Sequence, residues 1–234
     1  MNKEKYKEKY NKITNIIFTD TYKEVYYGYF ISMFLFIMAS PFSTIHSFVV
    51  LTVLFFYPVW AASVKKIDYF DFGLNNIDWK KTFLHLTIWS LITFIPYILF
   101  VIYYQGNSNL TSFIKHFSLP KKYLVETLLY QILVVGLSEE FFYRGYLQPL
   151  IQKKYNRVII KFLDLDTGVI LLSLLFAIGH IFTYYTIFSL LTFFPSLVFG
   201  ILRNKTDSII ASMIYHGFSN SIMVLIIHNI GNPF

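Results

Sequence analysis

The sequence predicts an all-α, polytopic transmembrane helical bundle of about seven to eight spans, and three observations predict it. The 234 residues are 56% hydrophobic and 21% aromatic. Only 14% are charged, against roughly 25% in an ordinary soluble chain. The apolar residues also fall in blocks of about twenty, the length that crosses a hydrocarbon core of roughly 30 Å. Seven blocks are legible, at 25–40, 42–64, 82–104, 123–147, 167–182, 183–202 and 208–228. The first is short, and 167–202 must hold two spans with hardly any turn between them. An eighth span or a re-entrant piece is left open.

On this reading the chain has three parts: a cytoplasmic amphipathic N-terminal segment over 1–24, the N-terminal spans over 25–122, and a core of the last four spans over 123–228. In the first part Lys3, Lys5, Lys7 and Lys9 mingle with Glu4, Glu8, Asp20 and Glu24. No small-residue cleavage pattern follows, so a solvated lead-in is expected rather than a signal peptide. Polar segments at 65–81, 105–122, 148–166 and 203–207 separate the spans. The third mixes Lys153, Lys154, Arg157 and Lys161 with Ile151, Val158, Ile159, Ile160 and Phe162. It is expected to lie along the membrane interface as an amphipathic helix.

Basic residues orient the bundle, because they accumulate on the cytoplasmic side. With the N-terminus inside, sixteen Lys and Arg lie on that side, and only Lys115, Lys121 and Lys122 lie opposite. Arg144 falls within a span. The net charge of +7 is then a product of topology, and a nucleic-acid partner is not expected. The absence of cysteine excludes disulfides, thiolate metal sites and a cysteine nucleophile. The expected location is a cell membrane, multi-pass, and the Lys-, Asn-, Ile- and Phe-rich composition points to an A+T-rich, bacterial genome.

Charged groups near mid-bilayer cost roughly 2.5–3.5 kcal/mol each on insertion scales, so their presence calls for a function. The stretch from Leu133 to Gly145, LVVGLSEEFFYRG, holds three: Glu139, Glu140 and Arg144. Glu140 and Arg144 are four apart and share a helix face, so Arg144 is placed to neutralise Glu140. Glu139 is rotated by about 100° and has no partner in its own helix. Such a carboxylate suits a general base working near neutral pH. Two histidines join it: His180, one turn beyond Phe176, and His216, four residues before Asn220 on the same face of the last span. His46, His85, His116 and His228 lack such company and are read as structural or interfacial. Counted from the cytoplasmic ends of their spans, Glu139 and His216 each lie about 12 Å deep and His180 about 20 Å deep, at 1.5 Å per residue.

In order and rough spacing these residues resemble the CAAX prenyl endopeptidase and bacteriocin-processing family of intramembrane proteases, also called Abi proteins. The resemblance rests on E-E-x-x-x-R at Glu139–Arg144, F-x-x-x-H at Phe176–His180 and H-x-x-x-N at His216–Asn220. The approach Gly200-Ile-Leu-Arg203 … Ser208-Ile209 agrees as well. It covers 123–228 and makes that stretch the expected catalytic core. It implies hydrolysis of a peptide bond in a membrane-associated peptide or protein, in peptide maturation, signalling or bacteriocin self-immunity. Glu139 and His180 would activate a water, His216 and Asn220 would stabilise the oxyanion, and Glu140 with Arg144 would support them. No cofactor is favoured. The alternative is zinc or another divalent metal on Glu139, His180 and His216, although the H-E-x-x-H helix of zincins is absent. Two other classes fit the composition: a non-catalytic membrane immunity or regulatory protein, and an ion-coupled transporter.

Overall fold

The computed structural model describes residues 21–75, 77–104 and 124–230. Lys3 to Asp20, Lys115, His116, Lys121 and Lys122, named above, lie outside them. Helices α1 (Thr21–Ala39) and α2 (Ser43–Lys65) form a hairpin. A 3₁₀ turn at Tyr69–Phe72 leads to α3 (Trp79–Tyr104). The next rod, α4, is α-helical at Leu124–Tyr130, π-helical at Gln131–Gly136, α-helical at Leu137–Glu140, π-helical at Phe141–Leu147 and α-helical at Gln148–Gln152. Strands β1 (Val158–Ile160) and β2 (Leu165–Asp166) follow as an antiparallel hairpin. The chain ends in α5 (Thr167–Tyr184), a 3₁₀ stretch at Ile187–Thr192, α6 (Phe193–Thr206) and α7 (Ile210–Ile230).

Among the described residues four segments are long and apolar enough to cross a membrane: Ile45–Lys65, Trp79–Val101, Thr167–Tyr184 and Ile187–Thr206. Shorter apolar runs occupy Glu24–Ala39 and Ile210–Ile226. The fold is therefore membrane-helical, as the composition predicts, while seven to eight spans is more than helix length and apolarity alone carry. In α4 the apolar run is interrupted by Glu139, Glu140 and Arg144, all buried.

The expected interfacial helix over 148–166 is not formed. The α4 rod continues to Gln152, and the chain then turns into the β hairpin. The β-branched run Val158-Ile159-Ile160 favours the extended state, and Asp164, at φ 54°, turns the chain in the left-handed region. Asp166 caps α5 by accepting from the Val169 amide at 2.9 Å. Burial raises its carboxyl above the usual range, and hydrogen bonds from Val169, Gln152 and Asn204 oppose that rise.

Polar rungs align the C-terminal helices. Arg144 Nη2 donates to the Ser196 carbonyl at 3.0 Å, Gln148 Nε2 to the Gly200 carbonyl at 3.2 Å, and Gln152 Nε2 to Asn204 Oδ1 at 3.1 Å. Both partners advance by four residues at each rung, so α4 and α6 run parallel. Gln152 also donates to Asp166 Oδ2 at 2.7 Å, which fixes the end of α4 beside the start of α5. This pairing corrects the depths read from the sequence. Glu139 precedes Gln152 by thirteen residues and His180 follows Thr167 by thirteen, so each lies roughly 20 Å from the shared end at 1.5 Å per residue. The shallower figure for Glu139 came from ending its span at 147.

Small residues set the closest approaches, as expected where lipid offers no hydrophobic gain and packing decides. A Cβ on Gly217 of α7 would lie 2.3 Å from Ile132 Cγ1 and 2.8 Å from Ile132 Cα. A Cβ on Gly136 would lie 2.8 Å from the Met213 carbonyl oxygen. Gly73, at φ 100°, closes the loop after α2, and its carbonyl accepts from Ser208 Oγ at 2.7 Å and the Ile209 amide at 3.0 Å. Around these contacts Phe141, Phe142, Tyr143 and Tyr146 of α4 pack with Phe36, Leu54, Phe72, Phe176 and Tyr215. Gly217→Ala must therefore push α7 off the α4 backbone. We expect a loss of about 1–3 kcal/mol, the usual cost of overpacking, read as a lowered melting temperature of the detergent-solubilised protein.

Candidate active site

The two π turns bracket Leu137–Glu140, the only α-helical turn in the middle of α4. Such turns recur at functional sites. Both carboxylates on that turn are withdrawn from solvent: Glu139 is 7% exposed and Glu140 is fully buried. His180 comes from α5 and His216 from α7, so three helices supply the cluster.

Glu140 is the hub. Its Oε1 accepts from Arg144 Nη1 at 3.1 Å and lies 2.8 Å from His216 Nδ1. Arg144, also fully buried, sits over the faces of Phe176 and Phe199, with 4.6 and 5.0 Å to the ring centroids. Its Nη2 is held by the Ser196 carbonyl and hydroxyl. Phe199 in turn stacks on His216, ring centroids 4.6 Å apart and planes 16° off parallel. The sequence reading paired Glu140 with Arg144 and assigned both to support. The structure adds His216 to that pair.

Glu139 stands apart, as its missing helix partner implied. Its Oε2 is 3.8 Å from His180 Nε2 and 3.9 Å from His216 Nε2. Among the described residues this buried oxygen has no hydrogen-bond partner. Both imidazoles are oriented from behind. His180 Nδ1 lies 3.0 Å from the Phe176 carbonyl and His216 Nδ1 lies against Glu140. A carbonyl oxygen only accepts, so His180 Nδ1 carries its proton, and the Nε2 of each ring faces Glu139. Phe176 also stacks against His180 at 4.3 Å. The F-x-x-x-H spacing is thereby explained: one residue supplies both the backbone acceptor and the aromatic wall.

Asn220, one turn beyond His216, is partly exposed and donates through Nδ2 to Gln131 Oε1 at 3.0 Å. The structure thus gathers Glu139, Glu140, Arg144, His180 and His216 into one cluster and places Asn220 at its edge. Sequence reasoning missed Gln131, Ser196 and Phe199. Ser196, Gly200 and Asn204 do recur every four residues on one face, a signal that could have flagged α6. Gln131 and Phe199 carry no such signal.

Residues 121–222 match the family described as Rce1-like, type II CAAX prenyl endopeptidase. That segment contains every residue of the cluster, and the resemblance read from the three motifs holds at the level of this family. The match is a similarity to that family over less than half of the chain, and among the described residues four apolar helices are long enough to cross a membrane. Neither the curated proteins nor the solved structures gave a match.

Removing one partner of a buried ion pair strands the other charge, at about 3–5 kcal/mol. Arg144→Ala is therefore expected to lose about 3–5 kcal/mol of stability. Arg144→Met combined with Glu140→Leu is expected to lose less than either change alone. Thermal melts of the three variants in detergent check the order.

Proposed function

We propose that this protein is an intramembrane endopeptidase that hydrolyses a peptide bond of a membrane-associated peptide or protein. The observation that carries the reading is the convergence of two oriented imidazoles on one unpartnered carboxylate oxygen, Glu139 Oε2, in a buried site. Gaps of 3.8 and 3.9 Å are too long for direct hydrogen bonds and of the size a bridging water spans.

In this mechanism a water lies between Glu139 Oε2 and His180 Nε2. Glu139 takes its proton as the oxygen adds to the scissile carbonyl carbon, and the carbonyl π electrons become the oxyanion. Asn220 Nδ2 and His216 Nε2 donate to that oxyanion. Glu140 Oε1 stands behind His216, 2.8 Å from its Nδ1. Collapse of the tetrahedral intermediate breaks the C–N bond, and the leaving amine takes the proton from Glu139.

The favoured mechanism needs no metal. A divalent ion on Glu139, His180 and His216 remains the rival, and it would polarise the same water. Orientation follows from the charge count, with the end carrying Glu24, Lys65 and Gln152 facing the cytoplasm. The substrate we favour is a secreted or signalling peptide, in maturation or self-immunity, ahead of a prenylated protein.

Two internally quenched peptides of one sequence, with and without a farnesylated C-terminal cysteine motif, test these points on the full chain in proteoliposomes. Glu139→Gln and His180→Ala are each expected to lower cleavage at least 10²-fold, the scale of a lost general base, with unchanged melting. A pair of variants that keeps wild-type cleavage would leave a binding role as the better reading. Cleavage that persists after a strong chelator, with no bound metal detected by elemental analysis, is expected. Loss on chelation with recovery on adding zinc would favour the metal version.

A further inference from the structure

We propose that Gln131 is a positioning residue for this reaction, acting through Asn220; the inference rests on the endopeptidase reading above. Asn220 Nδ2 donates to Gln131 Oε1 at 3.0 Å. A carboxamide presents its N–H₂ and its C=O with similar shape, so only its partners decide which one faces the site. An oxyanion donor must present N–H. Gln131 supplies an acceptor to one of the two Nδ2 hydrogens and thereby leaves the other as the group offered to the reacting oxygen.

The helix geometry brings Gln131 to this task. It lies eight residues before Glu139 and opens the first π turn of α4. In a regular α-helix eight residues sweep roughly 800°, which would put Gln131 about 80° off the Glu139 line. One extra residue accommodated by the π turn reduces the sweep to roughly 700°, within about 20° of whole turns. The first π turn therefore aligns Gln131 with Glu139, on a segment that packs against α7. Along the axis Gln131 is about 12 Å from Glu139, and Asn220 is about 6 Å beyond His216. Gln131 thus holds Asn220 from the side remote from Glu139.

The ordinary alternative is an interhelical hydrogen bond that joins α4 to α7 without touching the chemistry. Such bonds stabilise membrane bundles weakly. The close approach at Gly217 and Gly136 already fixes that crossing, so the hydrogen bond is not needed to hold the helices together.

The test compares kcat and KM of the full chain in proteoliposomes with whichever of the two quenched peptides it cleaves. Gln131→Met keeps the length of the side chain and removes the acceptor. It is expected to lower kcat about tenfold with KM within twofold, because the loss falls on the transition state. In an Asn220→Ala background the same change is expected to lower kcat less than twofold, since Gln131 then has nothing to position. A Gln131→Met loss of the same size in both backgrounds would overturn the inference, as would no loss in the wild-type background. A fall in melting temperature that accounts for the kcat change through lost folded protein would overturn it as well. The two readings fail separately. Cleavage unaffected by Glu139→Gln, or absent from the wild-type chain, removes the endopeptidase reading and this inference with it. Loss with Glu139→Gln but not with Gln131→Met removes the inference alone.

Discussion

Everything around the site follows from the need to satisfy one carboxylate in a dry interior. Glu140 is fully buried, and a buried charge is tolerated only when it is paired and hydrogen-bonded. Arg144 meets that need from the same helix and His216 from α7. Arg144 then needs acceptors of its own, and Ser196 of α6 provides them. One ionic demand thus ties α4, α6 and α7 together, and it does so with directional contacts where apolar packing has little directional preference.

The rest of the bundle makes that cluster geometrically possible. Rungs at Arg144, Gln148 and Gln152 hold α4 and α6 parallel and in register. Gln152 and Asn204 both reach Asp166, the cap of α5. The start of α5 is therefore set against the end of α4, and equal chain lengths carry Glu139 and His180 to the same level. Glycines 136 and 217 bring α7 close enough for His216 to reach Glu140. The two π turns flank the α-helical turn that carries both glutamates.

Much of the candidate site was legible because membrane sequence has a quiet background. Against apolar neighbours a carboxylate, an arginine or a histidine is conspicuous, and each such residue implies a compensating partner. Glu139, Glu140, Arg144, His180 and His216 were found in that way, and Asn220 by its spacing from His216. Gln131, Ser196 and Phe199 were not, since serine and phenylalanine are common in apolar helices and a lone glutamine names no partner. Their roles come from contacts with residues far along the sequence, 52 residues away for Ser196 and 89 for Gln131. The segment 148–166 misled for a related reason: mixed basic and apolar residues suit an amphipathic helix and a short hairpin alike. The β-branched run and the polar anchoring of Asp164 and Asp166 to Asn204 select the hairpin.

The sequence by itself determined that this is a helical membrane protein and which few side chains are anomalous in its apolar helices. Composition and the energy of burying charge are local properties, readable one residue at a time. What only the tertiary structure decided is how those side chains are shared out. Glu140 serves His216 as well as Arg144, Glu139 faces two imidazoles at once, and Asn220 is hydrogen-bonded to Gln131. Those assignments depend on helix phase and depth, which π turns, close glycine contacts and a capped hairpin set to within an ångström or two, finer than any count of residues from a span boundary resolves.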